Sequence, residues 1–219
     1  LKPAAAKPHL YSPTGLLDDT WWHRSYWIYG TRYYTGYRDW FRAGREVPGG
    51  RILVVADGAV YGYGRRPSDL YWTTPIEYHL FATSRTPAVV PSPQKRTRVP
   101  AWGQKQIACR WSQSVPLLAR AMVLAGDVLF VAGPPDVVDE WGAYKSLPEA
   151  DTQEALAAQE AALAGRSGAL LRAVSVTDGK TLAELKLAAP PAWDAMAVAA
   201  GRLFLATQDG QVMCLAGRP

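Results

Sequence analysis

Ala121-Met122-Val123-Leu124-Ala125-Gly126-Asp127-Val128-Leu129-Phe130-Val131-Ala132 recurs without a gap 74 positions later. The second copy reads Ala195-Met196-Ala197-Val198-Ala199-Ala200-Gly201-Arg202-Leu203-Phe204-Leu205-Ala206. Identity falls at Ala121/Ala195, Met122/Met196, Ala125/Ala199, Leu129/Leu203, Phe130/Phe204 and Ala132/Ala206. An earlier stretch, Gly50-Arg51-Ile52-Leu53-Val54-Val55-Ala56-Asp57-Gly58-Ala59-Val60-Tyr61, matches residues 201–213 if one extra residue is allowed. Each copy is a run of strand formers broken at Gly or Asp-Gly, the mark of a hairpin. A hairpin that cannot bury both faces alone must stack on its neighbours, so the repeat predicts a stacked, all-β architecture.

Bulk composition agrees with such a fold. The chain has 219 residues, 48% of them apolar and 20% charged, enough for a core and too apolar for global disorder. No uninterrupted apolar run is long enough for a transmembrane helix, so no transmembrane segment is expected. The net charge is +5, but the basic residues are scattered. The densest group, Lys95, Arg96, Arg98 and Lys105, lies among Pro91, Pro93 and Pro100 and reads as a solvated loop. A nucleic-acid partner would call for a basic face with interleaved stacking residues, and none is expected. Cys109 and Cys214 are far apart, with no Cys-x-x-Cys and no metal-spaced histidines. Two buried thiols are expected rather than zinc or a disulfide. The chain begins at Leu1 without an initiator methionine or a visible signal peptide, so a processed product or a longer parent protein is expected.

Along the chain, residues 1–15 read as an entering linker broken by Pro3, Pro8, Pro13 and Gly15. Residues 16–219 read as the β-domain. Within it, residues 20–41 contain ten aromatics, among them Trp21, Trp22, Trp27 and Trp40. Strands are predicted at 51–56, 59–63, 77–82, 106–111, 168–175, 181–187 and through the hairpins of the repeat, and 85–103 reads as a surface excursion. One helix is predicted over 149–164, inside an insertion at about 146–165, from the capping-box pattern Ser146-Leu147-Pro148-Glu149 and the stop at Gly165. In Leu203-Phe204-Leu205-Ala206 both faces of the strand are apolar. Leu203, Phe204 and Leu205 are therefore all expected to be almost fully buried, in a sheet covered on both sides.

Ala173-Val174-Ser175-Val176-Thr177-Asp178-Gly179-Lys180 resembles the repeat of the PQQ-like (quinoprotein-type) β-propellers, whose blades carry an A-x-D-x-x-T/D-G-K-x-x-W pattern. Ala173, Asp178, Gly179 and Lys180 match it; Ser175 stands in place of the Asp and Ala183 in place of the blade-docking Trp. Residues 10–27, Pro134-Pro135-Asp136, the helical insertion, 170–175 and Asp209-Gly210-Gln211-Val212 are similar to the C-terminal part of large bacterial proteins with such repeats. The resemblance implies a propeller fold and a periplasmic or cell-surface setting. It implies no activity.

A quinoprotein dehydrogenase needs a metal held by carboxylate and amide oxygens and a base for the substrate hydroxyl. This chain contains no asparagine and no adjacent cysteine pair to lie on a quinone, so no cofactor is expected. No nucleophilic triad, phosphate loop or zinc-protease motif is present either. The richest polar group is Asp18, Asp19, His23 and Arg24 beside Trp22 and Trp27. It could bind a small ligand or glycan, with a tryptophan as platform. The preferred reading is structural: Asp–Arg pairing fixes a turn and the aromatics fill space between blades. His9 and His79 are isolated and read as surface or packing residues.

About a dozen strands make roughly three four-stranded blades, fewer than the roughly four to eight of a closed ring. The chain is therefore expected to be part of a propeller completed by another polypeptide or by a missing N-terminal region. A non-catalytic interaction or scaffold module of the envelope is the leading expectation. A carbohydrate-binding module using the aromatic block, and a fragment of a PQQ-dependent redox protein, are the alternatives.

Overall fold

The computed structural model describes residues 7–12, 27–31, 42–67, 77–92 and 104–217. The chain divides into two compact units, Leu1–Gln113 and Ser114–Pro219. Both are built of antiparallel β-sheet, as the repeat required.

In the N-terminal unit, β1 (His9–Tyr11), β2 (Trp27–Gly30) and β3 (Gly49–Gly50) form a sheet in that order. β1 lies inside the stretch read as a linker. Its pairing with β2, Leu10 opposite Tyr29 and Tyr11 opposite Ile28, makes residues 9–11 part of the fold. A second sheet contains β4 (Ile52–Val55), β5 (Val60–Arg65), β6 (Tyr78–Thr83) and, beyond the short hairpin of β7 (Val89–Pro91) and β8 (Lys105–Ile107), β9 (Cys109–Gln113). Residues 106–111, predicted as one strand, are thus split at Ala108 between two sheets, and Thr83 Oγ1 donates to the Ala108 carbonyl at 2.7 Å. All six residues of β5 are buried. The first sheet runs into the second at Arg51, whose N–H donates to the Tyr63 carbonyl at 2.8 Å. Glycine makes this junction possible: a Cβ on Gly64 would stand 2.8 Å from the Gly49 carbonyl oxygen and 2.9 Å from Gly50 Cα.

In the C-terminal unit, β10 (Ala121–Ala125) and β11 (Val128–Gly133) form the first hairpin. The helices α1 (Glu140–Lys145) and α2 (Ala150–Leu163) follow, then β12 (Ala169–Ser175) and β13 (Thr181–Leu187). These four strands are one sheet in chain order; β14 (Pro191–Ala199), β15 (Arg202–Thr207) and β16 (Val212–Ala216) make a second of only three. Opposed residues of an antiparallel pair share a face. Ala121, Ala132, Leu171 and Leu185 therefore form one row, and Val123, Phe130, Ala173 and Ala183 the next. This face packs on Met196, Leu203, Leu205, Met213 and Leu215 of the second sheet. The opposite face of the first sheet is buried too, at Met122, Leu129, Val131 and Val174.

Among the described residues, the second sheet is covered on one side. Leu203 and Leu205 point into the core at 6% and 0% exposure, as expected. Phe204 is only half-buried, because Ala197, Phe204, Ala206, Val212 and Cys214 share the other face. Leu205→Ala should therefore lower stability by about 2–5 kcal/mol, whereas Phe204→Ala should cost about half the usual 3–5 kcal/mol of a buried aromatic. Urea denaturation of the two variants checks the order, and equal losses would mean that Phe204 is covered.

Two helices replace the single one predicted. Ser146 ends α1, where its Oγ donates to the Gly142 carbonyl at 3.0 Å and pairs with Thr152 Oγ1 at 2.9 Å. Its hydroxyl is thereby withdrawn from the expected capping box; Glu149 holds the N-cap position of α2 without a side-chain cap bond. The buried residues of α2 are Thr152, Gln159 and Ala162. Gln159 ties the helix to the preceding loop: its Oε1 accepts from Val137 N–H at 2.8 Å and its Nε2 donates to the Pro135 carbonyl at 3.0 Å.

Candidate functional site

Of the residues expected to bind a ligand, Asp18, Asp19, Trp22, His23 and Arg24 lie outside the described residues. Trp27 opens β2, half-buried opposite Gly50. On the same strand, Tyr29 is buried, and the Arg85 guanidinium lies 5.4 Å from its ring centre with Nε donating to Tyr29 Oη at 2.7 Å. Of the basic cluster, Lys105 begins β8 in an exposed position, while Lys95, Arg96 and Arg98 lie outside the described residues.

His79, Cys109 and Asp178 have structural surroundings. His79 is buried, stacked on Phe81 with centroids 4.9 Å apart, and its Nδ1 lies 2.7 Å from Ser112 Oγ. Desolvation, helped by the Arg66 charge, lowers its pKa to about 3, so the ring is neutral. It is a packing residue. His9 is exposed and meets Tyr11 edge-on. Both cysteines are free, and neither is buried: Cys109 is half-buried, and Cys214 is exposed because nothing among the described residues covers the outer face of its sheet. Burial pushes the Cys109 thiol up to about 11, which removes its reactivity at neutral pH. Asp178, in the turn that carries the propeller-like motif, has its carboxyl lowered to about 2 by hydrogen bonds from Lys180, from Ser175 and from the Lys180 backbone. Its Oδ2 lies 2.8 Å from Lys180 Nζ. These motif residues build the turn between β12 and β13. Among the described residues there is no cluster of three or more His, Cys, Asp or Glu able to hold a metal, and no helix long and apolar enough to cross a membrane.

The most unusual surface belongs to the second sheet of the C-terminal unit. The repeat places Val123, Phe130, Ala132, Leu171 and Ala173 of the first sheet in the positions of Ala197, Phe204, Ala206, Val212 and Cys214 of the second. The first set lies on the packed face between the sheets. The second set faces outward, with Val212 73% exposed. A cavity of about 530 Å³ also opens between the sheets, lined by Phe130, Ala173, Ala183, Val198, Leu203 and Leu215 among others. Ala183 is part of its wall. The pairing of sequence repeat with open face escaped the sequence reading, although the two-sided apolar pattern at 203–206 was its signal. Comparison with protein-family models and with curated proteins finds no match.

Proposed function

We propose that this chain is a non-catalytic interaction module, a set of β-propeller blades of the PQQ-like kind that a further polypeptide completes, serving as a scaffold in the cell envelope. The observation that carries this reading is the outward face of β14–β16. It repeats, position for position, a face that packs on the neighbouring sheet one repeat earlier. Apolar sheet faces of this kind are costly to leave in water and mark sites of association. The buried, neutral His79 and the turn-forming Asp178 have structural roles that leave a binding role as the better reading.

The test is a photoreactive residue at position 212 in native cells. A discrete adduct with another polypeptide is expected, lost in Phe204→Glu, with none from the same probe at Glu154 on α2. Absence of any adduct from position 212, or a crystal structure in which this chain alone closes a ring of blades, would overturn the reading.

A further inference from the structure

The helical excursion between β11 and β12 is held to its unit by few side chains. α1 has no buried residue, and α2 has three, Thr152, Gln159 and Ala162. They lie on one stripe of α2, with Ala155 and Leu156 half-buried between them. Thr152 directs its hydroxyl back into the excursion, to Ser146 Oγ, and Gln153 does likewise, donating to the Leu147 carbonyl. Among the described residues, Gln159 is the one side chain of α2 that hydrogen-bonds outside the excursion. It does so twice, to Val137 N–H at 2.8 Å and to the Pro135 carbonyl at 3.0 Å. A helix of 14 residues is at the margin of stability by itself, even when rich in alanine. α2 contains no lysine or arginine, so Asp151, Glu154 and Glu160 have no opposite charge one turn away within it. Glu160 also puts a negative charge in the last turn, the unfavourable end of the helix.

We propose that residues 139–164 form a strap that opens and closes as a unit while the four-stranded sheet stays folded, with Gln159 as its latch. Both ends of the strap suit this motion. At the C-terminal end the chain passes through Gly165 and Gly168, at φ 82° and 66°, a conformation that glycine enters and leaves without a side-chain penalty. At the N-terminal end the segment that receives the latch is anchored independently of the strap. Leu117 pairs with Pro135, Leu118 N–H donates to the Pro134 carbonyl at 2.9 Å, and Asp136 N–H donates to the Pro116 carbonyl at 3.2 Å. Opening therefore breaks the two bonds of Gln159 and withdraws the stripe of α2, but leaves this pairing in place. Two of the three buried side chains are polar, so closure removes little apolar surface from water. The loss of two hydrogen bonds is then felt directly in the balance between open and closed. Once unlatched, α2 frays, because nothing within the helix replaces the lost contacts. The open state presents the Pro135 carbonyl and the Val137 N–H, which the closed strap occupies.

Hydrogen exchange of the intact chain, followed amide by amide by NMR over a series of low urea concentrations, separates opening of the strap from unfolding of the sheet. Relative to their unstructured rates, the amides of α2 should exchange about a hundredfold faster than the slowest amides of β11 and β12. Exchange in α2 should also be nearly independent of urea, because opening exposes little surface, whereas that of β11 and β12 should accelerate steeply. The Val137 amide, which the latch itself protects, should follow α2 rather than β11. Gln159→Met keeps the length of the side chain and removes both bonds. It should speed exchange in α2 and at Val137 about tenfold or more, and leave β11 and β12 within about twofold of the parent. Exchange of α2 with the rate and urea dependence of β11 and β12 would overturn the proposal, since strap and sheet would then open only together. A Gln159→Met variant in which α2 exchanges as in the parent, or in which strap and sheet accelerate equally, would overturn it as well.

Discussion

Acidification from pH 7 to pH 4 is expected to remove about 3 kcal/mol of folding stability through His79 alone, given its pKa of about 3 in the folded chain. In the unfolded chain the ring titrates near 6.5, its ordinary value. Between those two values the unfolded state binds a proton that the folded state refuses, so stability falls with falling pH. The loss is absent above about pH 6.5 and levels off below about pH 3, near 5 kcal/mol. The cause is geometric: the imidazole is buried against Phe81, its Nδ1 is committed to Ser112, and the Arg66 charge disfavours a second cation. His79→Asn keeps a polar partner for Ser112 and cannot ionise. Urea denaturation at pH 7, 5.5 and 4 should show the steep loss in the parent and a much flatter one in the variant. Parallel curves would mean that His79 is accessible to water. Asp178 acts at lower pH: its depressed carboxyl contributes stability above about pH 4 that disappears as pH falls towards 2.

Gly133→Ala should cost about 3 kcal/mol or more, at the upper end for a single methyl group. Gly133 ends β11 where the pairing changes register. Ala121 lies opposite Ala132, but Leu117 lies opposite Pro135, so four steps on one side match three on the other. The extra residue is absorbed between Leu118–Pro134 and Arg120–Ala132, whose N–H to carbonyl bonds measure 2.9 and 2.8 Å. This irregularity turns the Leu118 carbonyl towards Gly133, and a Cβ there would overlap the carbonyl oxygen and carbon. The obstacle is backbone held by bonds on both sides, so no rotamer change relieves it. Gly58, in the turn between β4 and β5, has nothing within 4 Å of an added Cβ. Gly58→Ala should be neutral within about 1 kcal/mol. Equal midpoints for the two variants in thermal denaturation would show that the backbone near Leu118 yields.

The strands were largely legible because their signals are local. Alternation of apolar residues, Asp-Gly at 57–58 and Asp178-Gly179 bracket hairpins wherever they occur; β13 coincides with the predicted 181–187, and β15 falls in the second hairpin of the repeat. The departures arise where a distant group competes. Ser146 could cap α2, but α1 presents the Gly142 carbonyl to it first. Residues 9–11 lie among prolines, yet β2 offers an edge to pair with. Within the candidate site, the aromatic and acidic residues at 18–24 fall outside the described residues, and the surface that does emerge consists of ordinary alanine, valine and phenylalanine. Nothing in their identity distinguishes an open face from a covered one.

Phe130 and Phe204 make the division plain. Local pattern places both in the second strand of a hairpin, with leucine before them and alanine two positions after. That much is set by the pleat, which alternates side chains whatever surrounds the strand. Both are half-buried, but the faces they stand on differ because burial is a property of neighbours: Phe130 packs against the core between the sheets, and Leu171 on its face is 5% exposed, whereas Val212 at the matching place beside Phe204 is 73% exposed. The same distinction governs His79, whose proton affinity depends on the desolvation imposed by its surroundings and on the charge of Arg66. Strand, turn and repeat are encoded by neighbours in the chain. Exposure and protonation depend on neighbours in space.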